Sequence, residues 1–202
     1  MSLLLNKLDN KVILDGKEVY IDLDFRNFIR LELMSQDPSI DDFTRITVTL
    51  NNFYGTTNII EYKKAIRIIL DYYTSDGSGL YEVEEEDKQK QETGSSDSPD
   101  KPILDFDYDV GLIYAAFMEQ YNIDLIDIDF LHWWKFKALL LGLNENTKLS
   151  KVMYYRSVEI DSKMDKEQKK FLREMKKLYA LPDRRTDKEK EKEFHNIMGG
   201  LL

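Results

Sequence analysis

The 202-residue sequence contains no cysteine, which excludes disulfides, thiolate metal sites and thiol nucleophiles. It also lacks any apolar run near the roughly 20 residues that span a bilayer. The opening MSLLLNKLDNKVILDG has an apolar stretch too short for a signal peptide and no basic start. These absences predict a soluble intracellular protein that does not enter a membrane.

Groups that commonly carry catalysis are also scarce. There is no Gly-rich phosphate loop and no dinucleotide-binding fingerprint. The two histidines, His132 and His195, stand far apart, and neither has a readable nucleophile beside it. We therefore expect no catalytic residues and no cofactor, and we expect the protein not to be an enzyme.

Two carboxylate-rich stretches, DFDYDVG and DLIDIDF, invite comparison with a metal site. The first begins like a calcium loop at Asp105, but such a loop needs glycine at its sixth position and glutamate at its twelfth. Val110 and Ala116 occupy those positions. The pattern favours carboxylates placed at helix entries, where they stabilise exposed backbone amides, and no metal site is expected.

The chain is acidic, with 29 basic and 38 acidic residues and a formal charge of −9. Such a chain has no general attraction for phosphate backbones. Basic residues of 163–192 alternate with acids at spacings of three and four, which is typical of a solvated helix with side-chain ion pairs. No nucleic-acid partner is expected.

Residues 82–102, EVEEEDKQKQETGSSDSPDKP, contain one apolar residue, Val83. A segment of this composition cannot bury enough surface to offset its ordering entropy, so we interpret it as a flexible acidic linker. It separates an N-terminal unit, 1–81, from a helical domain, 103–182, which a charged tail, 183–202, follows. The predicted fold is mainly α, with an N-terminal β-hairpin plus helices joined by the linker to the helical C-terminal domain.

The N-terminal unit begins with alternating apolar residues on both sides of Asp15-Gly16, a strong two-residue hairpin signal. A helix follows in DFRNFIRLELMSQ, for which Asp24 is a suitable N-cap. The next helix is predicted to start at a capping box headed by Ser39 and to end at Gly55. A third helix is predicted in NIIEYKKAIRIILDYYTSDG from its apolar spacing.

The stretch DFLHWWKFKALLLGL carries apolar side chains around most of a helix, which indicates a buried central helix. Its predicted N-cap is Asp127 or Asp129, and Gly142 ends it. Of the adjacent Trp133 and Trp134, we expect one in the core and the other at a rim or in contact with a partner. Further helices are predicted in DVGLIYAAFMEQYNI, TKLSKVMYYRSVEI and KMDKEQKKFLREMKKLYALPD.

The tail places Phe194, Ile197 and Met198 at helical spacing on an otherwise charged segment. Two interpretations remain open. The tail is either a frayed terminus, because so short a helix is marginal alone, or a docking segment that orders on a partner.

Several motifs together resemble one known family: FDYDVGLIYAAFMEQYNIDLIDIDFLHWWKFKALLLGL, YRSVEI, KKLYALPD and the start KVILDGKEVYIDLDFRNFIRLELM. They are similar to the bacteriophage protein family named after gene product fifteen of a Listeria phage, across most of 104–183. Family members are encoded in the tail module of long-tailed phages, near the tape-measure gene.

The resemblance implies a tail assembly factor that acts as a chaperone for the tape measure protein and self-associates. It also implies a location in the cytoplasm of the bacterial host and absence from the mature virion. It supplies no catalytic residues to carry over. The alternatives are a structural minor tail component retained in the virion and a small enzyme whose site the sequence hides.

Overall fold

A computed structural model describes residues 10–74 and 102–182. Over these residues the chain is mainly helical with an N-terminal antiparallel hairpin, which confirms the predicted fold class. Within them, no helix is long and apolar enough to cross a membrane. The elements are β1 (Lys11–Leu14), β2 (Lys17–Tyr20), α1 (Phe25–Gln36), α2 (Asp42–Tyr54), α3 (Tyr62–Thr74), α4 (Val110–Tyr121), α5 (Trp133–Leu141), α6 (Lys148–Ser157) and α7 (Lys166–Leu178).

The hairpin turns at Asp15-Gly16, as predicted. Both residues have positive φ, 52° and 68°, the conformation that a two-residue turn between twisted strands requires. The Asp15 carboxylate also accepts hydrogen bonds from the backbone N–H groups of Ile60 and Glu61, at 3.0 and 2.8 Å. The turn is therefore attached to the residues that lead into α3.

The start of α1 and both ends of α2 are set by capping residues, and one of the predicted caps is wrong. Asp24 caps α1 as predicted, and α2 ends at Gly55, whose φ of 67° is left-handed. The N-cap of α2 is Asp41, whose carboxylate accepts from the Thr44 N–H at 2.9 Å. The predicted capping box at Ser39 is wrong because the carboxylate two residues later reaches the free amide of the first turn.

The described residues form two compact units, and the division falls inside α6. The first unit contains residues 10–74 and 106–151, and the second contains 102–105 and 152–182. In the first, Phe28 of α1 stacks on Trp133 of α5 at 4.9 Å between ring centroids. The core of the first unit is built from buried apolar side chains of all its elements except β2. They include Leu14, Ile21, Leu23, Phe25, Phe28, Leu50, Phe53, Ala65, Ile69, Ile113, Ala116, Phe117, Leu131, Trp133, Phe136 and Leu149.

This grouping differs from the predicted domains 1–81 and 103–182. Helices α4 and α5 pack with the N-terminal elements, since aromatic rings on α1 and α5 share one core. The predicted linker, 82–102, lies outside the described residues except for its last residue, and the tail, 183–202, lies wholly outside them.

The second unit places α7 against the last residues of α6. Leu172 and Val152 are buried, and the Tyr155 and Tyr179 rings stack at 5.9 Å. The Arg156 side chain donates from Nε to the Tyr179 carbonyl at 2.6 Å, satisfying an acceptor just after the end of α7. One face of α7 is thereby fixed and the opposite face is exposed.

Candidate functional site

Trp133, the first residue of α5, is buried in an aromatic stack. Its ring lies parallel to those of Phe28, Tyr73 and Phe136, at centroid distances of 4.9, 5.7 and 5.7 Å. Phe136 in turn stacks on Phe25 at 4.7 Å. Offset stacking adds to the free energy of burying this area. The aromatic run of this segment therefore holds α1, α3 and α5 together.

The open side of this stack is closed by polar groups. The Trp133 Nε1–H and the Lys137 ammonium both donate to the Tyr73 carbonyl, at 3.3 and 2.8 Å. The Tyr73 hydroxyl donates to the Glu32 carboxylate. Burial, followed by this hydrogen bond, raises the pKa of the Tyr73 hydroxyl. The indole N–H of Trp133 and the hydroxyl of Tyr73 therefore both have hydrogen-bond partners, as is usual for polar groups of buried side chains.

The N-cap of α5 is His132, so the predicted caps Asp127 and Asp129 are wrong. The His132 Nδ1 accepts a hydrogen bond from the Trp134 N–H at 3.1 Å. The helix begins later than the carboxylates because residues 124–128 form a separate turn, closed by a hydrogen bond from the Ile128 N–H to the Asp124 carbonyl at 2.9 Å. In that turn the Asp124 carboxylate accepts from the Ile126 N–H at 2.9 Å.

The His132 imidazole is buried, and its Nε2 has no hydrogen-bond partner among the residues that the structure describes. Burial, with a smaller contribution from the Lys135 charge, lowers its pKa to about 4. The ring is therefore neutral near neutral pH. Because Nδ1 accepts from the helix amide, the ring proton belongs on Nε2. His132 thus has a capping role, because Nδ1, the ring nitrogen that carries no proton, accepts the hydrogen bond from the helix.

Asp24 connects the start of α1 to the segment before α5. Its carboxylate accepts from the N–H groups of Arg26 and Leu131, both at 3.0 Å, through different oxygens. The Phe25 N–H donates to the Leu131 carbonyl at 2.9 Å. One buried carboxylate therefore joins two parts of the chain that are about a hundred residues apart in sequence.

Arg26 extends the same junction to the turn at 124–128. Its guanidinium contacts both Asp24 oxygens at 3.3 Å. The Nη2 group also donates to three backbone carbonyls, those of Leu125 at 3.0 Å, Ile126 at 3.3 Å and Ile128 at 2.6 Å. A planar guanidinium with several donors suits this task, and it fixes the backbone of the turn.

The carboxylate-rich stretches that we compared with a metal site lie at the start of α4 and in the turn before α5. Asp109 stands at the N-cap position of α4, but its side chain makes no capping hydrogen bond to that helix. Asp124 binds two backbone amides and the Tyr114 hydroxyl, and the bond from Ile126 is the main cause of its lowered pKa. Among the residues the structure describes, no three or more such side chains are placed to hold a metal ion.

An apolar groove of about 130 Å³ lies between α1, α2 and α3. It is well below the ~300–1,000 Å³ of small-molecule sites, but it can receive part of an apolar side chain. Leu70 lies at its exposed edge. Its lining residues are Leu31, Arg45, Ile46, Thr49, Ile66, Ile69 and Leu70.

The predicted contact residues fall in different surroundings. Trp133 is in the core and Trp134 is half-buried, which agrees with the expectation that one tryptophan lies in the core and the other at its rim. Phe194, Ile197 and Met198 lie outside the described residues. Whether any of these residues contacts a partner stays a prediction. Sequence reasoning missed Arg26, and no local signal marks it, because its acceptors are backbone carbonyls distant in sequence.

The residues described so far form a mainly helical protein with an aromatic core, a buried polar junction and exposed apolar positions. Its sequence matches the model of the bacteriophage Gp15 protein family over residues 5–181. The match covers most of the chain, so this protein belongs to that phage family. No curated protein and no solved structure matches the chain.

Proposed function

We propose that this protein is a phage or prophage tail assembly factor, a chaperone that binds the tape measure protein while the tail is built. The observation that carries the proposal is membership of the bacteriophage Gp15 family over residues 5–181. The tail-module setting implied by the resemblance of the motifs supplies the step from phage protein to tail assembly. The role is one of association with other proteins and not of catalysis.

The groove between α1, α2 and α3 supports this proposal. A tape measure is a long helical rod, and helical partners bind by placing apolar side chains into such grooves. The groove has an exposed apolar edge at Leu70, and Val48 is also exposed on the neighbouring α2. Self-association would place successive copies along one rod, which raises the effective concentration of each binding site.

Co-expression with the tape measure protein of the same tail module tests the client. We expect the two proteins to co-purify and the tape measure to be more soluble than when it is expressed alone. Leu70→Glu places a charge at the groove edge and is expected to weaken co-purification. Leu141→Glu, at another exposed leucine of the same unit, is the matched control. Equal retention by both variants would remove the groove from the proposal.

Mass spectrometry of purified virions separates the proposed role from the alternative. A chaperone acts in the host cytoplasm and is expected to be absent from the mature particle. A structural minor tail component would be present at a fixed ratio to the tape measure. Detection at such a ratio would replace the chaperone role with the structural one.

A further inference from the structure

Helix α7 presents a row of cations that form no ion pair with the other residues that the structure describes. Its sequence has six basic and two acidic residues, whereas the whole chain has a charge of −9. Four basic residues recur at spacings of four, three and four, which places them on one face over about 16 Å. This cationic row consists of Lys166, Lys170, Arg173 and Lys177, and all four side chains are exposed.

The ion pairs predicted over 163–192 do not form within the part of this segment that the structure describes. Glu167 and Glu174 stand at suitable spacings from the cationic row, yet within residues 102–182 no ion pair involves α7. Beside the glutamates, Phe171 and Leu178 are 49% and 63% exposed. The opposite face is fixed, since Leu172 is buried. Leu178 is exposed, and Phe171, whose ring packs edge-on against Tyr155 at 5.9 Å, is also partly exposed, so this side of α7 offers both positive charge and apolar surface.

The turn before α5 has the opposite charge and the same apolar character. We call residues 124–130 the acidic loop. Ile126 and Phe130 are 74% and 42% exposed, and the carboxylates of Asp127 and Asp129 are exposed beside them. Neither carboxylate forms an ion pair within the described ranges.

The acidic loop is held in shape without a partner. The Arg26 guanidinium binds three of its carbonyls, and the Asp124 carboxylate accepts from two of its amides. A surface fixed before binding loses less conformational entropy when a partner arrives. With Ile126 and Phe130 exposed beside its carboxylates, the acidic loop offers a partner both apolar surface and negative charge.

We propose that the cationic row of one copy docks on the acidic loop of a second copy. Opposite charges would steer the encounter, and the exposed side chains Phe171, Leu178, Ile126 and Phe130 would bury apolar surface. Each copy carries one surface of each kind. When its two surfaces bind two different neighbours, the contact is head-to-tail and builds rings or open chains. This inference rests on the self-association within the proposed function and not on the identity of the client.

Nucleic acid is a less suitable occupant of the cationic row. Glu167 and Glu174 flank the row on its apolar side and would repel phosphates, while Phe171 and Leu178 beyond them offer no charge. An acidic loop with apolar side chains complements both the charge of the cationic row and the apolar side chains of Phe171 and Leu178.

Sedimentation velocity on the full chain, over a range of concentrations and salt, tests the contact. We expect species larger than a dimer at high concentration, and weaker association as salt screens the charges. Lys170→Glu with Arg173→Glu is expected to weaken association by about tenfold or more, and Asp127→Lys with Asp129→Lys by a similar factor. Combining all four substitutions restores opposite charges and is expected to restore association.

The matched control is Lys63→Glu with Arg67→Glu, which makes the same change of charge at exposed positions of α3. The docking is overturned if this control dissociates the protein equally, if the fourfold variant stays dissociated, or if labelled duplex DNA binds α7 more tightly than a second copy does. A wild-type chain that is monomeric at every concentration overturns the self-association as well. Co-purification with the tape measure is a separate readout, so the client proposal can survive either failure.

Discussion

The carboxylate of Asp24 accepts a hydrogen bond at 3.0 Å from the backbone N–H of Leu131, 107 residues further along the chain. The other oxygen of the same carboxylate caps α1 through the Arg26 N–H. A single acidic side chain therefore starts one helix and fixes the segment that leads into another. The energetic consequence of this arrangement can be measured directly.

Asp24→Ala leaves the buried Leu131 N–H without its acceptor and the Arg26 guanidinium without its anion. Leaving buried polar groups unpaired is costly, so we expect a loss of about 2–4 kcal/mol in the free energy of unfolding by urea. Asp24→Asn keeps one acceptor oxygen and presents an amide to the other donor, so its loss should be smaller. Asp71→Ala, at an exposed acid of α3, is the control, and a comparable loss there would contradict the special role of Asp24.

His132 predicts a dependence of stability on acid pH. Its pKa is lowered to about 4, below the ordinary value near 6.5, so the unfolded chain binds the proton more readily. The stability is complete above about pH 6.5 and falls as the pH decreases toward 4. The full loss should be about 3 kcal/mol, because below pH 6.5 the unfolded chain gains a proton that the buried imidazole of the folded protein does not accept until the pH nears 4.

Urea unfolding of the wild type and of His132→Asn, measured at several pH values, checks this expectation. Asparagine retains an N-cap acceptor but does not titrate, so the variant should lack this part of the acid slope. His195→Asn removes the other histidine and serves as the control. If His195→Asn loses this part of the acid slope and His132→Asn keeps it, the assignment of the slope to His132 is wrong.

The two tryptophans should differ in their contribution to stability. Trp133→Ala removes a ring stacked on Phe28, Tyr73 and Phe136, and we expect a loss of about 3–5 kcal/mol. Trp134 is half-buried, so Trp134→Ala should cost clearly less. Chemical denaturation followed by far-UV circular dichroism measures both variants without relying on tryptophan fluorescence. Equal and small losses would show that the aromatic stack does not stabilise the fold.

Local signals in the sequence identify most of the elements. Asp15-Gly16 predicts the hairpin because few residue pairs tolerate positive φ at both turn positions, and Gly55 predicts a helix end for a related reason. The starts of α2 and α5 are less predictable, since several nearby side chains could each cap. Histidine is not among the preferred N-caps, and His132 takes that place because the preceding carboxylates belong to a separate turn.

The candidate surfaces depend on distant contacts that no local pattern shows. Arg26 has the appearance of one more surface cation on an amphipathic helix, but its acceptors are carbonyls about a hundred residues later. The charge pattern of 163–192, which includes α7, predicts a solvated helix with side-chain ion pairs. Regular spacing allows such pairs but does not require them, because exposed pairs contribute little free energy.

Cleavage within residues 82–102 should nick the protein without separating its parts. The composition of this segment predicts protease sensitivity, and Lys88 and Lys90 provide trypsin sites. Residues 10–74 and 106–151 belong to one compact unit, so the two fragments should co-elute on native gel filtration and separate only in denaturant. Lys88→Gln with Lys90→Gln should delay the cut. Fragments that part under native conditions would show that the shared aromatic core is not sufficient to hold them.

In the charged C-terminal tail, Phe194, Ile197 and Met198 are spaced to form a short apolar stripe on a helix. The tail follows Pro182 and lies beyond the family match, which ends at residue 181, so we expect deletion of residues 187–202 to leave the thermal midpoint nearly unchanged. If the C-terminal tail is a docking segment, its deletion should weaken self-association. Alternatively, the truncated protein should fail to restore the formation of phage tails when it is supplied to a phage that lacks the gene. Replacing the three apolar residues by serine preserves length and charge, and this variant should reproduce the defect. A truncated protein that assembles and supports tail formation like the full chain would favour the frayed-terminus interpretation, since a stripe this short gains little free energy unless a partner covers it.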